Sequence, residues 1–491
     1  MPLDNPTIIA ERSVPAGERR AWRAAFLLAV VIGGTAALVY AARGLTLSHY
    51  DARAHLVVAR RILDSLMPGW MQIGAVWLPL PHVLNALPVQ WDWAYRSGAT
   101  AVGLSVGVLA WGLAAFAAFV HRQTGSTLAA IALPLALLLN PNVLYLQSTP
   151  MTEPLLIGLA LVALDAVDRW RIAPDDRRAW RAAWALAALV LTRYEGWPIA
   201  AALVAIAMAA HGRAALRIAA GPVVAIGLFL LLSRGSTGAW FVASGFFVPD
   251  NPSAGQARLV LDDILESTVQ LGGEPLVWAG AAGAIACLWR ARRSIAALLP
   301  LACVSAGALP FAAFYAGHPH RVRYMVPLVA AAVVLSGAAI AAVPARGRGA
   351  AAVLLLGTGL WTRTPLDAGA PMVLEAQWET PWRLERREVT RVLAAVHDGT
   401  PILASMGSLA HYMQETAAAG FDLRDFLHEG NGDLWKVALL RPRRQVRWIL
   451  IEERAEGGDL LARLAREDES FLDGFDRVTA HGGLALYRRR E

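Results

Sequence analysis

Long apolar runs, separated by short arginine-rich breaks, fill this chain from Ala24 to about Trp361 and then stop. In hydrocarbon every backbone N–H and C=O must be satisfied within the segment itself, and a helix needs about 20 apolar residues to cross. Most of the runs approach that length, so the chain is constrained to a polytopic, mainly α-helical membrane protein. Composition agrees: of 491 residues 56% are apolar and only 17% charged, where soluble domains carry about a quarter. Eleven spans are predicted, at 24–43, 97–120, 126–141, 153–168, 179–194, 196–211, 217–233, 274–290, 294–315, 324–343 and 349–362.

Arginine sets the predicted orientation. The segment 1–23 carries Arg12, Arg19, Arg20 and Arg23, and alternate loops carry Arg122, Arg169–Arg181, Arg213–Arg217, Arg290–Arg293 and Arg346–Arg348. By the positive-inside rule these belong in the cytoplasm. Reading 179–211 as one kinked helix would turn the later clusters outward, so two spans are kept. The net charge of +7 is almost all arginine, Lys436 being the only lysine. Arginines placed between apolar runs are expected to set topology and touch lipid headgroups rather than nucleic acid. Cys287 and Cys303 fall inside predicted spans, which argues against a disulfide framework. No cleavable signal peptide is evident, so the first apolar run is expected to stay as an anchor.

Beyond Pro365 the composition becomes that of a soluble domain. "PILASM" and "VRWILIEE" read as buried strands, and the segments around Leu434–Leu440 and Gly458–Arg466 as helices. The expected organisation is a segment 1–23, a membrane domain 24–362 with a long first outer loop 44–96, and a small α/β domain 363–491. With eleven spans that domain lies on the outer side.

Four outer segments hold unusual charge. In "HYDARAHLVVARRILDSLMPG" the residues Leu56, Val58, Ala59, Ile62, Leu63 and Leu66 share one face of a helix expected to lie on the membrane surface. Asp51 opens that helix. It reads either as an N-cap or, near His49 and His55, as a general base. Glu153 starts the fourth span, where Thr152 could cap and Glu153 complement the helix dipole. Arg193, Tyr194 and Glu195 interrupt an apolar run, which suits either a site or an Arg193–Glu195 pair. His318, His320, Arg321 and Arg323 put dense positive charge on the outer face, and binding a phosphate is the natural reason. No P-loop, zinc-protease helix or nucleophile elbow occurs, and the two histidines are too few to argue zinc.

Taken together, Asp51 just after the first span, the amphipathic helix, "WLPLPHVL" at 77–84 and "HRVRYMVPL" at 320–328 resemble the polytopic glycosyltransferases of superfamily C. Within these, the branch related to protein O-mannosyltransferases and aminoarabinose transferases is the most similar, over roughly 20–345. The resemblance implies transfer of a sugar from a polyprenyl-phosphate donor to a hydroxyl of a protein, lipid or glycan acceptor on the outer face of the plasma membrane. It implies Asp51 as general base and Glu153 or Glu195 as a second carboxylate. It also implies Arg321 and Arg323, with His320, as holders of the lipid phosphate. Some relatives use a first-loop lysine for the phosphate; this loop has none, leaving His55, Arg53 or Arg60 to substitute. A divalent cation, magnesium or manganese, is left open as cofactor. The competing readings are a transporter or flippase, and a non-catalytic scaffold; no internal repeat of the transporter kind is evident.

Overall fold

The computed structural model describes residues 15–74, 76–240, 251–455 and 458–491. Residues 1–14 of the predicted cytoplasmic segment, and 241–250 of the outer loop 234–273, lie outside the described residues.

The first helix, α1 (Ala16–Ala42), is followed by the short helices of the first loop, α2 (Tyr50–Arg61), α3 (Leu80–Ala86) and α4 (Asp92–Ser97). Next come α5 (Ala99–Thr124), α6 (Thr127–Leu138), α7 (Pro141–Leu146), α8 (Glu153–Ile172), α9 (Asp176–Val190), α10 (Gly196–His211) and α11 (Leu216–Thr237). Then α12 (Ala257–Gly272) meets α13 (Glu274–Ala291) at a 117° bend. A 3₁₀ run, Ile295–Gly307, leads into α14 (Ala308–Tyr315), and α15 (Val326–Ala342) and α16 (Arg348–Thr362) complete the membrane part. Each of the eleven predicted spans falls on one of these helical stretches. Among the described residues, five helical segments are long and apolar enough by themselves to cross a membrane, or six with the bent pair. The protein is thus a multi-pass membrane protein, and the number eleven depends on counting the shorter helices as crossings.

Contacts between helix ends fix the path. Glu18 at the start of α1 meets Arg122 at the end of α5 (2.9 Å) and Arg169 near the end of α8 (2.5 Å). Asp176 at the start of α9 pairs with Arg217 at the start of α11, and His211 at the end of α10 meets Trp170, near the end of α8, edge to face. Arg290 of α13 reaches the carbonyl of Ala338, and Arg348 donates to Thr124 and Ala341. All these ends therefore gather at one end of the bundle. So α9 and α10 run in opposite directions, and 179–211 is two helices.

The arginines expected to touch headgroups are partly consumed there. Arg122 also binds Asp165 (2.6 Å) and Asp168 (2.9 Å), and Arg171 binds Asp168 (2.8 Å). Buried charges persist only when paired, and these carboxylates supply the partners. Small residues let the helices close up: a Cβ on Gly112 of α5 would strike the backbone of Gly158 in α8, the close approach that small residues permit between membrane helices.

After α16 come α17 (Pro371–Glu375) and α18 (Thr380–Val396), then the sheet domain. Its strands are β1 (Ile402–Ala404), β2 (Phe426–Leu427), β3 (Trp448–Glu452), β4 (Phe475–His481) and β5 (Leu484–Arg489), in the order β2-β1-β3-β5-β4. The first three are parallel; β5 runs antiparallel to both β3 and β4. Four further helices, α19 (Met406–Thr416), α20 (Gly432–Leu440), α21 (Pro442–Gln445) and α22 (Leu460–Glu467), connect them. The predicted strands and both predicted helices are present.

Both faces of β3 are buried, which explains its unbroken apolar run. Ile449 and Ile451 pack with Trp435 of α20 and Leu461 of α22. Trp448 and Leu450 share a core with Leu409 and Met413 of α19, Val389 of α18, and Ala54, Leu56, Val57 and Ala59 of α2. The expected surface-lying helix is thereby corrected: α2 is buried from Ala52 through Arg61, wedged under the sheet domain. Its apolar stripe fits a sheet face as well as it would fit lipid. Its polar side is equally committed, with Arg53 bound to Glu379 (3.0 Å) and Glu415 (3.1 Å) and Arg60 to Asp64 (2.9 Å) and Asp92 (2.8 Å).

Candidate active site

At the end of the bundle opposite the arginine-rich ends, α2 begins with His49 in extended backbone, and His49 Nδ1 accepts the Asp51 N–H at 3.1 Å. His49 is therefore the N-cap, and the capping role open to Asp51 is filled by its neighbour. The Asp51 carboxylate faces Arg323 instead, with Oδ2 2.5 Å from Nη2. Arg323 comes from the turn that opens α15. Its guanidinium lies over the rings of Tyr50 and Tyr324 at 5.5 and 5.4 Å, a cation–π setting. Its Nη1 is 2.9 Å from His49 Nε2 and 4.0 Å from Glu375 Oε1.

Glu375 ends α17, beyond the last membrane helix, and lies 3.4 Å from His49 Nε2. Burial alone would raise its carboxyl; the His49 hydrogen bond and the Arg323 charge outweigh that and hold it below the ordinary glutamate value. Trp378 and His411 both meet the Tyr50 ring, so the segment after α16 and the sheet domain wall the site. Sequence reasoning missed Glu375. The available signal was one acid within "PMVLEAQW", directly after the last apolar run.

A second cluster lies at the mouth of α8 and the α9–α10 turn. Arg193 binds Glu153 (3.0 Å), Glu195 (2.7 Å) and the Thr152 hydroxyl (2.9 Å). Glu153 and Glu195 are almost completely buried, and the Arg193–Glu195 pair is the structural alternative weighed for this turn. A backbone bond from Leu80 N–H to Leu191 C=O at 2.9 Å ties the first loop to the same turn. No ion pair or hydrogen bond among the described residues joins Asp51 to Glu153 or Glu195.

His55 stands one helical turn after Asp51, 3.1 Å from His82 and with its ring tilted against Trp77. Burial first, then the charges of His82, Arg193 and Arg323, push its imidazole far below the ordinary value. It is a neutral group and a poor substitute for a phosphate-binding lysine. His320 faces Ser267 of α12 at 2.8 Å, and burial lowers it too. Arg321 adds positive charge that Tyr50, Glu375 and His320 all sense.

Among the described residues no group of three or more His, Cys, Asp or Glu side chains is placed to hold a metal. The site carboxylates face arginines, so their arrangement does not fit a resident divalent cation.

No family model matches the sequence, and no curated protein does. Among solved structures, ArnT from Cupriavidus metallidurans bound to undecaprenyl phosphate superposes with a TM-score of 0.55 at 15% identity, covering 93% of this chain and 97% of that one. This chain has the fold of ArnT. The apo state of ArnT gives a TM-score of 0.52 at 16% identity, with the same coverage. The expected mainly helical membrane fold with a small C-terminal sheet domain is thus found. The likeness to ArnT extends beyond the expected 20–345, because coverage of 93% takes in the sheet domain as well.

Proposed function

We propose that the protein is a membrane glycosyltransferase that moves a sugar from a polyprenyl-phosphate donor to an acceptor hydroxyl at the outer face of the plasma membrane. The supporting observation is the Asp51–Arg323 pair, 2.5 Å apart, at the mouth of an ArnT-like fold whose solved relative binds undecaprenyl phosphate. On the expected count of eleven crossings, the arginine-rich ends lie in the cytoplasm and this pair, with the sheet domain, outside.

The chemistry follows from the charges. In the absence of donor, Arg323 is neutralised by Asp51. A lipid phosphate arriving at Arg323 and Arg321 competes for that guanidinium and loosens its hold on Asp51. The freed carboxylate then takes the proton of the acceptor hydroxyl as that oxygen attacks the anomeric carbon. The bond to phosphate breaks with its electron pair going to oxygen, and the arginines meet the charge as it grows, which is where stabilisation accelerates reaction. Glu153 and Glu195, held by Arg193, supply negative potential near the sugar as positive charge develops on it. The sugar and the acceptor class, protein, lipid or glycan, are open within this reading. The test is transfer from a panel of synthetic undecaprenyl-phosphate sugars by the purified protein in detergent, followed by mass spectrometry. No transfer and no hydrolysis from any donor of the panel would refute it.

A further inference from the structure

Two buried histidines of the first loop form a one-way chain of hydrogen bonds. His82 Nδ1 lies 3.0 Å from the carbonyl of Leu78. A carbonyl only accepts, so His82 Nδ1 carries the proton. Burial holds His82 down to about 4, so near pH 7 the ring is neutral and its Nε2 is a bare lone pair. That lone pair faces His55 Nδ1 at 3.1 Å, so His55 Nδ1 must donate. His55 is itself kept neutral by burial first and by the nearby guanidiniums of Arg193 and Arg323. Its one proton is spent on His82, and Nε2 is left as an acceptor that cannot switch tautomer without breaking the chain.

That atom makes no hydrogen bond among the described residues and, although the residue is only 7% exposed, it is not sealed from the surface. His55 follows Asp51 by four residues on α2, so the two side chains leave the helix on the same face. Two of the groups that depress it after burial, Arg193 and Arg323, belong to the two ion-pair clusters of the site.

We infer that His55 Nε2 is a fixed hydrogen-bond acceptor for a neutral hydroxyl of the substrate, with His82 as the positioning residue that locks it. This deepens the glycosyltransferase reading and rests on it. The ligand chemistry is an O–H donor, not a phosphate oxygen, because two acceptors repel. The hydroxyl can belong to the transferred sugar or to the acceptor molecule.

Asparagine and glutamine separate the two ring nitrogens. His55→Asn keeps a donor near the Nδ1 position for His82 and removes Nε2. His55→Gln restores a carbonyl acceptor near the Nε2 position. With the undecaprenyl-phosphate sugar that the wild type transfers, His55→Asn is expected to lower kcat/KM about tenfold, the worth of a neutral hydrogen bond. His55→Gln is expected to recover part of that. Inhibition by undecaprenyl phosphate alone should be unchanged in both. Repeating the measurement with deoxy donors and deoxy acceptors locates the hydroxyl: the analogue that lacks it makes His55→Asn and wild type equal. Weaker inhibition by undecaprenyl phosphate in His55→Asn would make His55 a phosphate ligand and overturn the inference. So would an unchanged kcat/KM in an active protein. Total inactivity of the wild type on every donor would sink the transferase reading instead. Independently of activity, ¹⁵N spectra of histidine-labelled protein near pH 7 should contain a neutral Nδ1–H tautomer that disappears in His55→Asn. Its absence from the wild type overturns the lock.

Discussion

Replacing Asp51 by asparagine tests the proposed base, provided its structural effect is separated from its chemical one. The Asp51 side chain is 16% exposed and that of Arg323 is 7% exposed. Breaking a fully buried pair on one side costs about 3–5 kcal/mol. Here Glu375 remains 4.0 Å from the same guanidinium and Asp51 keeps some water, so a loss of about 1–3 kcal/mol is the reasonable range. A protein with a typical stability of about 5–15 kcal/mol stays folded after such a loss. Instability of that size therefore cannot account for a large fall in rate. Removing a general base lowers the rate about 10²–10⁴-fold. The assay is initial-rate transfer in detergent at 25 °C, normalised to folded protein by size-exclusion, with thermal unfolding measured in parallel. Arg323→Gln and the double variant complete a cycle. In stability the two changes should be less than additive, with coupling of about 0.5–3 kcal/mol. In rate, Asp51→Asn should remain severely impaired whether or not Arg323 is present. An Asp51→Asn variant that transfers within about threefold of wild type, against the range expected for a base, would show that the carboxylate merely holds Arg323.

Three further outcomes follow from the geometry. Arg122→Met leaves Glu18 and Asp165 to Arg169 and Asp168 to Arg171, so it should cost less than an uncompensated buried charge, about 1–3 kcal/mol, read as a lower unfolding midpoint with donor KM unchanged in the folded fraction. His428 is buried and held down to about 3, by burial first and then by Arg61. The unfolded chain protonates this histidine below about pH 6.5 while the fold does not, so its contribution is present above that pH and lost as pH falls. His428→Asn keeps the cap on Gly430 N–H, and the stability gap between the two proteins should narrow by about 1.4 kcal/mol per pH unit from 6.5 towards 5; a constant gap would contradict this. Finally, impermeant thiol reagents applied from outside should label Arg96→Cys and Ser470→Cys but not Arg213→Cys, the native Cys287 and Cys303 being buried; any other pattern reverses the proposed orientation.

The helical part was legible because membrane helices announce themselves by length and apolarity, and the arginine alternation placed 290–293 and 346–348 at the same end as Glu18. What the sequence could not show was who covers α2. An apolar face with Leu56 and Ala59 is satisfied equally by lipid and by a sheet, and only the pairing of β1, β3 and β5 makes that sheet face available. Glu375 was hidden for a related reason. Its partner His49 lies 326 residues away, and neither local pattern hints at the other. Asp51 could be singled out by position, yet not freed of its capping alternative until His49 was seen to fill that role.

The burial of α2 also bears on how the site is kept in shape. A 12-residue helix standing alone in water would be marginal, and this one carries three arginines within its length. Each is held by groups from outside the helix: Arg53 by Glu379 and Glu415, Arg60 by Asp92 and Asp422, Arg61 against Met406. Every one of those partners except Asp92 belongs to the segment beyond α16. The helix that presents Asp51 and His55 is therefore fixed on one side by the membrane bundle and on the other by the sheet domain. Removing that domain would leave the buried Arg53 without its counter-charges and an apolar stripe without cover, so the active-site helix and the C-terminal domain should be lost together rather than in turn.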